Sequence, residues 1–117
     1  MKTKKKYGKL AEWIAAFYLA CKGYRILARN VITGRGTTAG EIDIIACRRH
    51  CLVFVEVKKR QSLEQAAYSI SEAQKNRIRR GAEAYLSDHP EFQHFDIRFD
   101  AILVKLPVSI IHLANVW

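Results

Sequence analysis

The chain has 117 residues, half of them apolar, and its 20 Lys and Arg outnumber 11 Asp and Glu to give a net charge of +9. This length fits one domain with one hydrophobic core, and the apolar fraction excludes a wholly disordered chain. No apolar run approaches the roughly 20 residues of a membrane helix. Three Cys, an odd number, do not complete a disulfide framework. We therefore expect a cytoplasmic protein with no membrane partner.

The positive charge is concentrated in three clusters. They are Lys2, Lys4, Lys5, Lys6 and Lys9, then Lys58, Lys59 and Arg60, and finally Lys75, Arg77, Arg79 and Arg80. Such clusters attract the phosphates of nucleic acid or of anionic lipid, although a solubility tail and solvated faces would account for them equally well. We expect residues 1–7 to form a basic flexible arm and residues 8–117 to form the single domain.

Two helices are predicted from apolar residues at helical spacing. The first covers residues 10–21, is apolar on both faces and carries Glu12 as its only charged side chain. Trp13 is expected to pack in the core, with stacking on a nucleic-acid base as the alternative. The second helix is predicted to begin at Ser71, with Gln74 as its capping-box partner, or alternatively at Ser69.

Strands are predicted where Ile, Leu and Val dominate or alternate with polar residues. A stretch rich in Gly and Thr, residues 33–40, separates the first predicted strand from the second. The predicted strands cover residues 24–31, 41–47, 52–58, 95–104 and 109–113. The resulting order is helix-β-β-β-helix-β, with one or two final strands, and it predicts an α/β fold in which helices flank a mixed sheet.

The second and third predicted strands carry the most informative polar residues. A two-residue turn at Arg49 and His50 would place Asp43 directly opposite Glu56, and Glu41 opposite Lys58. Like charges in facing positions destabilise a sheet. A divalent cation would offset this repulsion, and carboxylate oxygens suit Mg²⁺ or Mn²⁺. A solvated outer face with a Glu-Lys ladder remains the alternative.

Two further residues extend this acidic constellation. Lys58 lies close enough to hold a phosphate oxygen or to position a water. Glu12 is a third acid that needs a partner, because a lone buried carboxylate is costly. If the first helix packs on the face that carries Glu56, Glu12 joins the same site.

Three sequence blocks resemble the YraN-type family of bacterial proteins. They are Gly8-x-x-Ala11-Glu12, Gly40-Glu41-Ile42-Asp43-Ile44-Ile45-Ala46 and Val53-Phe54-Val55-Glu56-Val57-Lys58-x-Arg60. The resemblance covers roughly residues 8–117. That family is similar to the PD-(D/E)XK nuclease superfamily, which implies a restriction-endonuclease-like core and a kinship to archaeal Holliday-junction resolvases. Ile42 stands where the superfamily label has Pro.

The resemblance implies a role for each of several residues. Asp43, Glu56 and the backbone carbonyl of Val57 would bind the metal, Glu12 would act from the first helix, often through a water, and Lys58 would be the catalytic lysine. Gln74 and Lys75 would face the site from the second helix. Lys59, Arg60 and Arg79 would grip the nucleic-acid backbone together with these two residues.

The sequence therefore predicts a nuclease that uses Mg²⁺ or Mn²⁺ to hydrolyse phosphodiester bonds in DNA, including branched or single-stranded DNA. Two alternatives remain open. One is a nucleic-acid-binding module with little or no catalytic activity. The other is a homodimer that pairs through its hairpin or edge strands.

Overall fold

The structure is a computed structural model that describes residues 2–34, 40–59, 70–105 and 109–117, with only the backbone of residues 2–8. The predicted contact residue Arg60 lies outside the described residues. So do the alternative helix start at Ser69 and most of the Gly- and Thr-rich stretch.

The described elements form one five-stranded sheet with a helix on each face. The elements are α1 (Lys2–Cys21), β1 (Arg25–Thr33), β2 (Gly40–Arg48), β3 (Cys51–Lys59), α2 (Glu72–Asp88), a 3-10 turn (Pro90–Phe92), β4 (Asp96–Lys105) and β5 (Ser109–Leu113). The strand order is β1-β2-β3-β4-β5. Strands β3 and β4 are parallel and the other neighbours are antiparallel. The predicted α/β fold with a mixed sheet is confirmed.

Alternation along the central strands divides the core into two layers. Val53, Val55 and Val57 pack with α1 on one face, whereas Leu52 and Phe54 pack with α2 on the other. Helix α1 therefore does not lie on the face that Glu56 shares with Leu52 and Phe54. Glu12 must approach the acids from the other layer of the molecule.

Helix α1 differs from its prediction in length and in the face that it buries. It begins at Lys2 rather than Leu10 and so includes most of the expected basic arm, because Lys is a good helix former and nothing in this segment breaks a helix. Its small residues, Ala11, Ala15 and Ala16, lie against the sheet together with Leu19. Trp13 and Phe17 are left 61% and 73% exposed. The expectation that Trp13 packs in the core is wrong, since the smaller residues allow the closer helix-sheet contact.

Helix α2 begins as the sequence predicts. Ser71 is its N-cap, and the Ser71 and Gln74 side chains each accept a hydrogen bond from the other residue's backbone N–H. Ile78 and Ala82 of α2 are buried against the sheet. No described helix has the length and apolar character needed to cross a membrane.

A glycine pair brings α2 against the start of β2. A Cβ atom on Gly40 would lie 2.4 Å from the backbone nitrogen of Gly81 and 2.5 Å from its Cα. Only a residue without a side chain fits between the two backbones. This contact determines how closely α2 approaches Glu41, the residue that follows Gly40.

Candidate functional site

The β2–β3 hairpin has the register that the sequence predicts. Its turn is Arg49 and His50, and the antiparallel pairs extend from Arg48–Cys51 to Ile44–Val55. Asp43 and Glu56 occupy the next positions in this register. The charge of Asp43 and a hydrogen bond with its carboxyl group both act on the pKa of Glu56, which indicates that the two carboxyl groups lie close together. The structure therefore brings together the two acids that the sequence places opposite each other.

Asp43 is held at the point where β2 and β3 part. Its Oδ2 accepts a 2.8 Å hydrogen bond from the backbone N–H of Val57. Because the N–H and C=O of one strand residue point towards the same neighbouring strand, the carbonyl of Val57 faces Asp43 as well. A carboxylate, a second carboxyl group and a backbone carbonyl thus converge at one end of the hairpin.

Glu56 is largely withdrawn from water and carries an unusual pKa. Burial, the negative charge of Asp43 and the hydrogen bond between the two carboxyl groups together raise the pKa of Glu56 to about 8. The nearby charge of Lys58 opposes this rise. Lys58 Nζ lies 3.7 Å from Glu56 Oε1, and both side chains are less than 15% exposed. Perturbed carboxyl groups of this kind cluster at functional sites, although structural charge networks also produce them.

Helix α2 closes one side of a polar hollow of about 140 Å³ beside these residues. The hollow is lined by Glu41, Glu56, Lys58, Gln74, Arg77 and Ile78. Arg77 forms an ion pair with Glu41 across the gap between α2 and β2. Arg77 was not among the predicted site residues, although its position three residues after Gln74 places both on one helix face.

Glu12 reaches the site from α1 on the other face of the sheet. Burial and the negative charges of Asp43 and Glu41 together raise the pKa of Glu12 to about 7, against the opposing charge of Arg29. Asn30 of β1, with its amide nitrogen turned towards the acid, donates to the Glu12 carboxylate. Asn30 has a positive φ of 54°, and no pattern in the sequence indicated this contact.

The metal-binding capacity of the site rests on few groups. Within the described residues, no three Asp, Glu, His or Cys side chains form a cluster that could hold a metal ion, so Glu12 is not gathered with Asp43 and Glu56 as a direct ligand. Mg²⁺ needs only one or two carboxylates, since water and substrate phosphate complete its coordination. Asp43, Glu56 and the Val57 carbonyl fit this requirement, because a cation would relieve the contact between two acids.

The predicted nucleic-acid contacts do not all face this hollow. Gln74 lines it, whereas Lys75 pairs with Glu72 on its own helix at 3.4 Å. Arg79 is exposed and donates to Asn76, one turn away on α2. Lys59 is half-buried next to Lys58 on β3, and alternation points it to the opposite face of the sheet.

The sequence matches the model of Uncharacterised protein family UPF0102 over residues 11–104. The chain belongs to this family. UPF0102 protein amb4503 of Paramagnetospirillum magneticum is 44% identical over 113 residues, which cover 94% of this chain and 85% of the relative. A UPF0102 protein of Nitrobacter winogradskyi is 53% identical over 97 residues, which cover 83% and 79%. UPF0102 protein RPA0323 of Rhodopseudomonas palustris is 46% identical over 110 residues, which cover 94% and 82%.

UPF0102 membership confirms the family-level part of the sequence resemblance. The matched region extends from the residue before Glu12 to the penultimate residue of β4. It therefore includes Asp43, Glu56, Val57 and Lys58. The relatives' names carry no activity, so the chemistry of the UPF0102 site is argued from its geometry.

Proposed function

We propose that this protein is a metal-dependent nuclease that hydrolyses phosphodiester bonds in DNA. The observation that carries the proposal is the contact between Asp43 and Glu56 in a largely buried position, with Lys58 beside them. Facing carboxyl groups contribute nothing to sheet stability. The repulsion between the two carboxyl groups destabilises the sheet and so indicates a functional role. Together with the ammonium group of Lys58 and the polar hollow, the two acids form the set of groups expected for phosphodiester hydrolysis.

The proposed metal ligands are Asp43, Glu56 and the carbonyl of Val57, and Glu12 would act through a bridging water. When bound, Mg²⁺ or Mn²⁺ would supply Lewis-acid stabilisation and lower the pKa of a coordinated water. The hydrogen bond from Val57 fixes the orientation of Asp43. The similarity to the PD-(D/E)XK superfamily supports the same assignment and belongs to this proposal.

The remaining side chains would bind and orient the substrate. Lys58 would place its positive charge next to the scissile phosphate, where negative charge develops in the transition state. Gln74 and Arg77 border the hollow from α2 and would contact the adjoining phosphates. The net charge of +9 would supply the sequence-independent part of DNA affinity.

The cellular location is proposed on the same basis. Cys21, Cys47 and Cys51 are free thiols, which fits a reducing compartment such as the cytoplasm. The proposed location does not depend on the nuclease assignment and is tested separately by localising the tagged protein in cells.

Cleavage of end-labelled single-stranded, duplex and branched DNA in the presence of Mn²⁺ tests the proposal. We expect wild-type protein to cut at least one of these substrates, and Asp43→Asn, Glu56→Gln and Lys58→Met each to reduce the rate by at least ~100-fold. Glu83→Gln is the matched control, since Glu83 is exposed and does not line the hollow, and this variant should cut normally.

Two results would overturn the proposal. Equal cutting by wild type and by the three site variants would mean that the activity resides elsewhere. Tight DNA binding without cutting under any divalent metal would establish the alternative, a nucleic-acid-binding module without catalysis.

A further inference from the structure

The outer face of α1 carries an aromatic strip that is largely exposed in the described fold. The strip consists of Trp13 and Phe17, which are 61% and 73% exposed, and the half-buried Tyr18. Residues four apart lie one above the other on a helix, so these two rings are neighbours. With Ile110 of β5, the strip borders an open apolar groove of about 600 Å³.

Positive charges lie directly over two of these rings. The guanidinium carbon of Arg29 is 4.3 Å from the centre of the Trp13 ring, and Lys22 Nζ is 5.6 Å from the centre of the Tyr18 ring. The Arg29 Nε is buried and has no hydrogen-bond partner among the described residues. Cations held at the rings favour an anionic ligand over a purely apolar partner, because they add an attraction for negative charge to the apolar surface.

The strip begins beside the candidate site. Trp13 follows Glu12 in the chain, and the charge of Arg29 acts on Glu12 as well as lying over Trp13. A ligand that stacks on Trp13 is therefore held beside Glu12, whose carboxyl group interacts electrostatically with Asp43. This proximity links the strip to the substrate rather than to an unrelated partner.

Aromatic rings interleaved with cations are the arrangement by which proteins bind single-stranded nucleic acid. Bases stack on the rings with little sequence preference, and the cations neutralise phosphates. Stacked bases inside a duplex do not offer their faces to a protein surface, so such a strip selects unpaired nucleotides. A second copy of this chain would cover the groove as well, but it would bring two chains of net charge +9 together.

We propose that the aromatic strip binds an unpaired strand of the nucleic-acid substrate, with bases stacked on Trp13 and Phe17 and phosphates held by Arg29 and Lys22. The inference rests on the proposed function in that it names the substrate class of the same site. It assigns to this protein substrates with a single-stranded segment, rather than fully paired duplex.

Binding in the presence of a chelator separates this inference from catalysis. The probes are a fluorescein-labelled oligothymidylate, which forms no hairpins, and a mixed-sequence duplex of equal length, both followed by fluorescence anisotropy. We expect Trp13→Ala to weaken oligothymidylate binding by about 5- to 150-fold, the loss of one stacked base, with less than about a twofold change for the duplex. Trp13→Phe should restore most of the affinity.

Matched variants separate stacking from general charge. Arg29→Gln and Arg25→Gln each remove one positive charge from β1, but Arg25 is exposed and does not line the groove. We expect only Arg29→Gln to reduce the preference for single strands. Because Trp13 is mostly exposed, its variants should melt within about 2 °C of wild type.

The outcomes distinguish the two proposals. Unchanged oligothymidylate binding by Trp13→Ala and by a Trp13→Ala/Phe17→Ala double variant would overturn the strip assignment while leaving the nuclease proposal intact. If Trp13→Ala loses oligothymidylate binding but the wild-type protein cuts none of the DNA substrates, the strip assignment would be supported and the nuclease proposal refuted. Sedimentation that shows a dimer which Trp13→Ala dissociates would assign the groove to a second copy and overturn the inference.

Discussion

The backbone N–H of Val57 donates a 2.8 Å hydrogen bond to the Asp43 carboxylate across the end of the β2–β3 hairpin. A side chain thus occupies the position where the next ladder hydrogen bond of the two strands would form. The consequence is that Asp43 is fixed beside Glu56, and the Val57 carbonyl faces the same opening. The position of the candidate metal site follows from this parting of the strands.

Asp43→Asn should abolish stabilisation by divalent metal. Asn keeps an oxygen acceptor for Val57 but removes the charge that a hard cation requires. In wild-type protein, Mn²⁺ at ~100 times its Kd should stabilise the native state by about 2.7 kcal/mol, read as a rise in Tm. Asp96→Asn, an exposed carboxylate on β4, is the control. An undiminished rise in Tm for Asp43→Asn would place any bound metal elsewhere.

Glu56→Gln should stabilise the metal-free protein at high pH. Because folding raises the Glu56 pKa from 4.5 to about 8, the native state holds this proton more tightly than the unfolded chain, and wild-type stability falls as pH rises through that window. Gln has no proton to lose. The difference in free energy of unfolding, Glu56→Gln minus wild type, should therefore increase by about 1–4 kcal/mol as pH rises from below 4.5 to above 8.

Urea titrations in a chelator at several pH values measure this difference. Glu83→Gln, an exposed acid on α2, should run parallel to wild type. A Glu56→Gln curve that also runs parallel to wild type would show that Glu56 ionises normally. The contact with Asp43 would then not exist in solution.

Asp100→Asn should be strongly destabilising, because Asp100 is fully buried in a charged network. Burial opposes ionisation of Asp100, but hydrogen bonds from His112, Arg98 and the backbone of Asn115 outweigh it and lower its pKa. Loss of one partner of a buried charge pair costs roughly 3–5 kcal/mol. The lowered pKa also means that this stabilisation exists above the ordinary Asp pKa and disappears as pH falls through the native value.

Chemical denaturation of Asp100→Asn and Asp96→Asn compares a buried with an exposed acid on β4. We expect the exposed variant to stay within about 0.5 kcal/mol of wild type. Similar small losses for both variants would mean that the network does not stabilise the fold. Asp100 would then need no charged partner.

Gly40→Ala should disturb α2 more than Gly81→Ala does. The new Cβ at position 40 would meet the backbone of Gly81 at 2.4 Å, whereas a Cβ at position 81 first meets the Ile42 side chain at 3.0 Å. A side chain can adjust and a backbone cannot, so Gly40→Ala should cost at least about 1–3 kcal/mol and Gly81→Ala less. Denaturation curves check the order, and equal costs would contradict it.

Movement of α2 in Gly40→Ala should also carry Gln74 and Arg77 away from the hollow. A change in cleavage rate alone would not show that α2 has moved. Hydrogen exchange of the backbone amides along α2 is therefore the suitable measurement. Faster exchange confined to α2 is expected. Exchange unchanged from wild type would show that the glycine pair does not position the helix.

Local patterns in the sequence determined most of the elements. Strand alternation and the two-residue turn at Arg49 and His50 predicted the hairpin register, which the structure confirms. The capping box at Ser71 and Gln74 predicted the start of α2 to the residue. These features depend on neighbours close in the chain, and hydrogen-bonding geometry limits their alternatives.

The tertiary structure decided what no local pattern contains. Helix α1 is apolar on both faces, so its sequence did not show which face meets the sheet. Close packing selected the alanine face and left Trp13 and Phe17 outside. Arg77, Asn30 and the glycine pair act across 36, 18 and 41 residues of chain, respectively. Such contacts depend on how the helices pack on the sheet. The free energy of folding depends on the total apolar area buried and on close packing of the whole interior, which no local sequence pattern specifies.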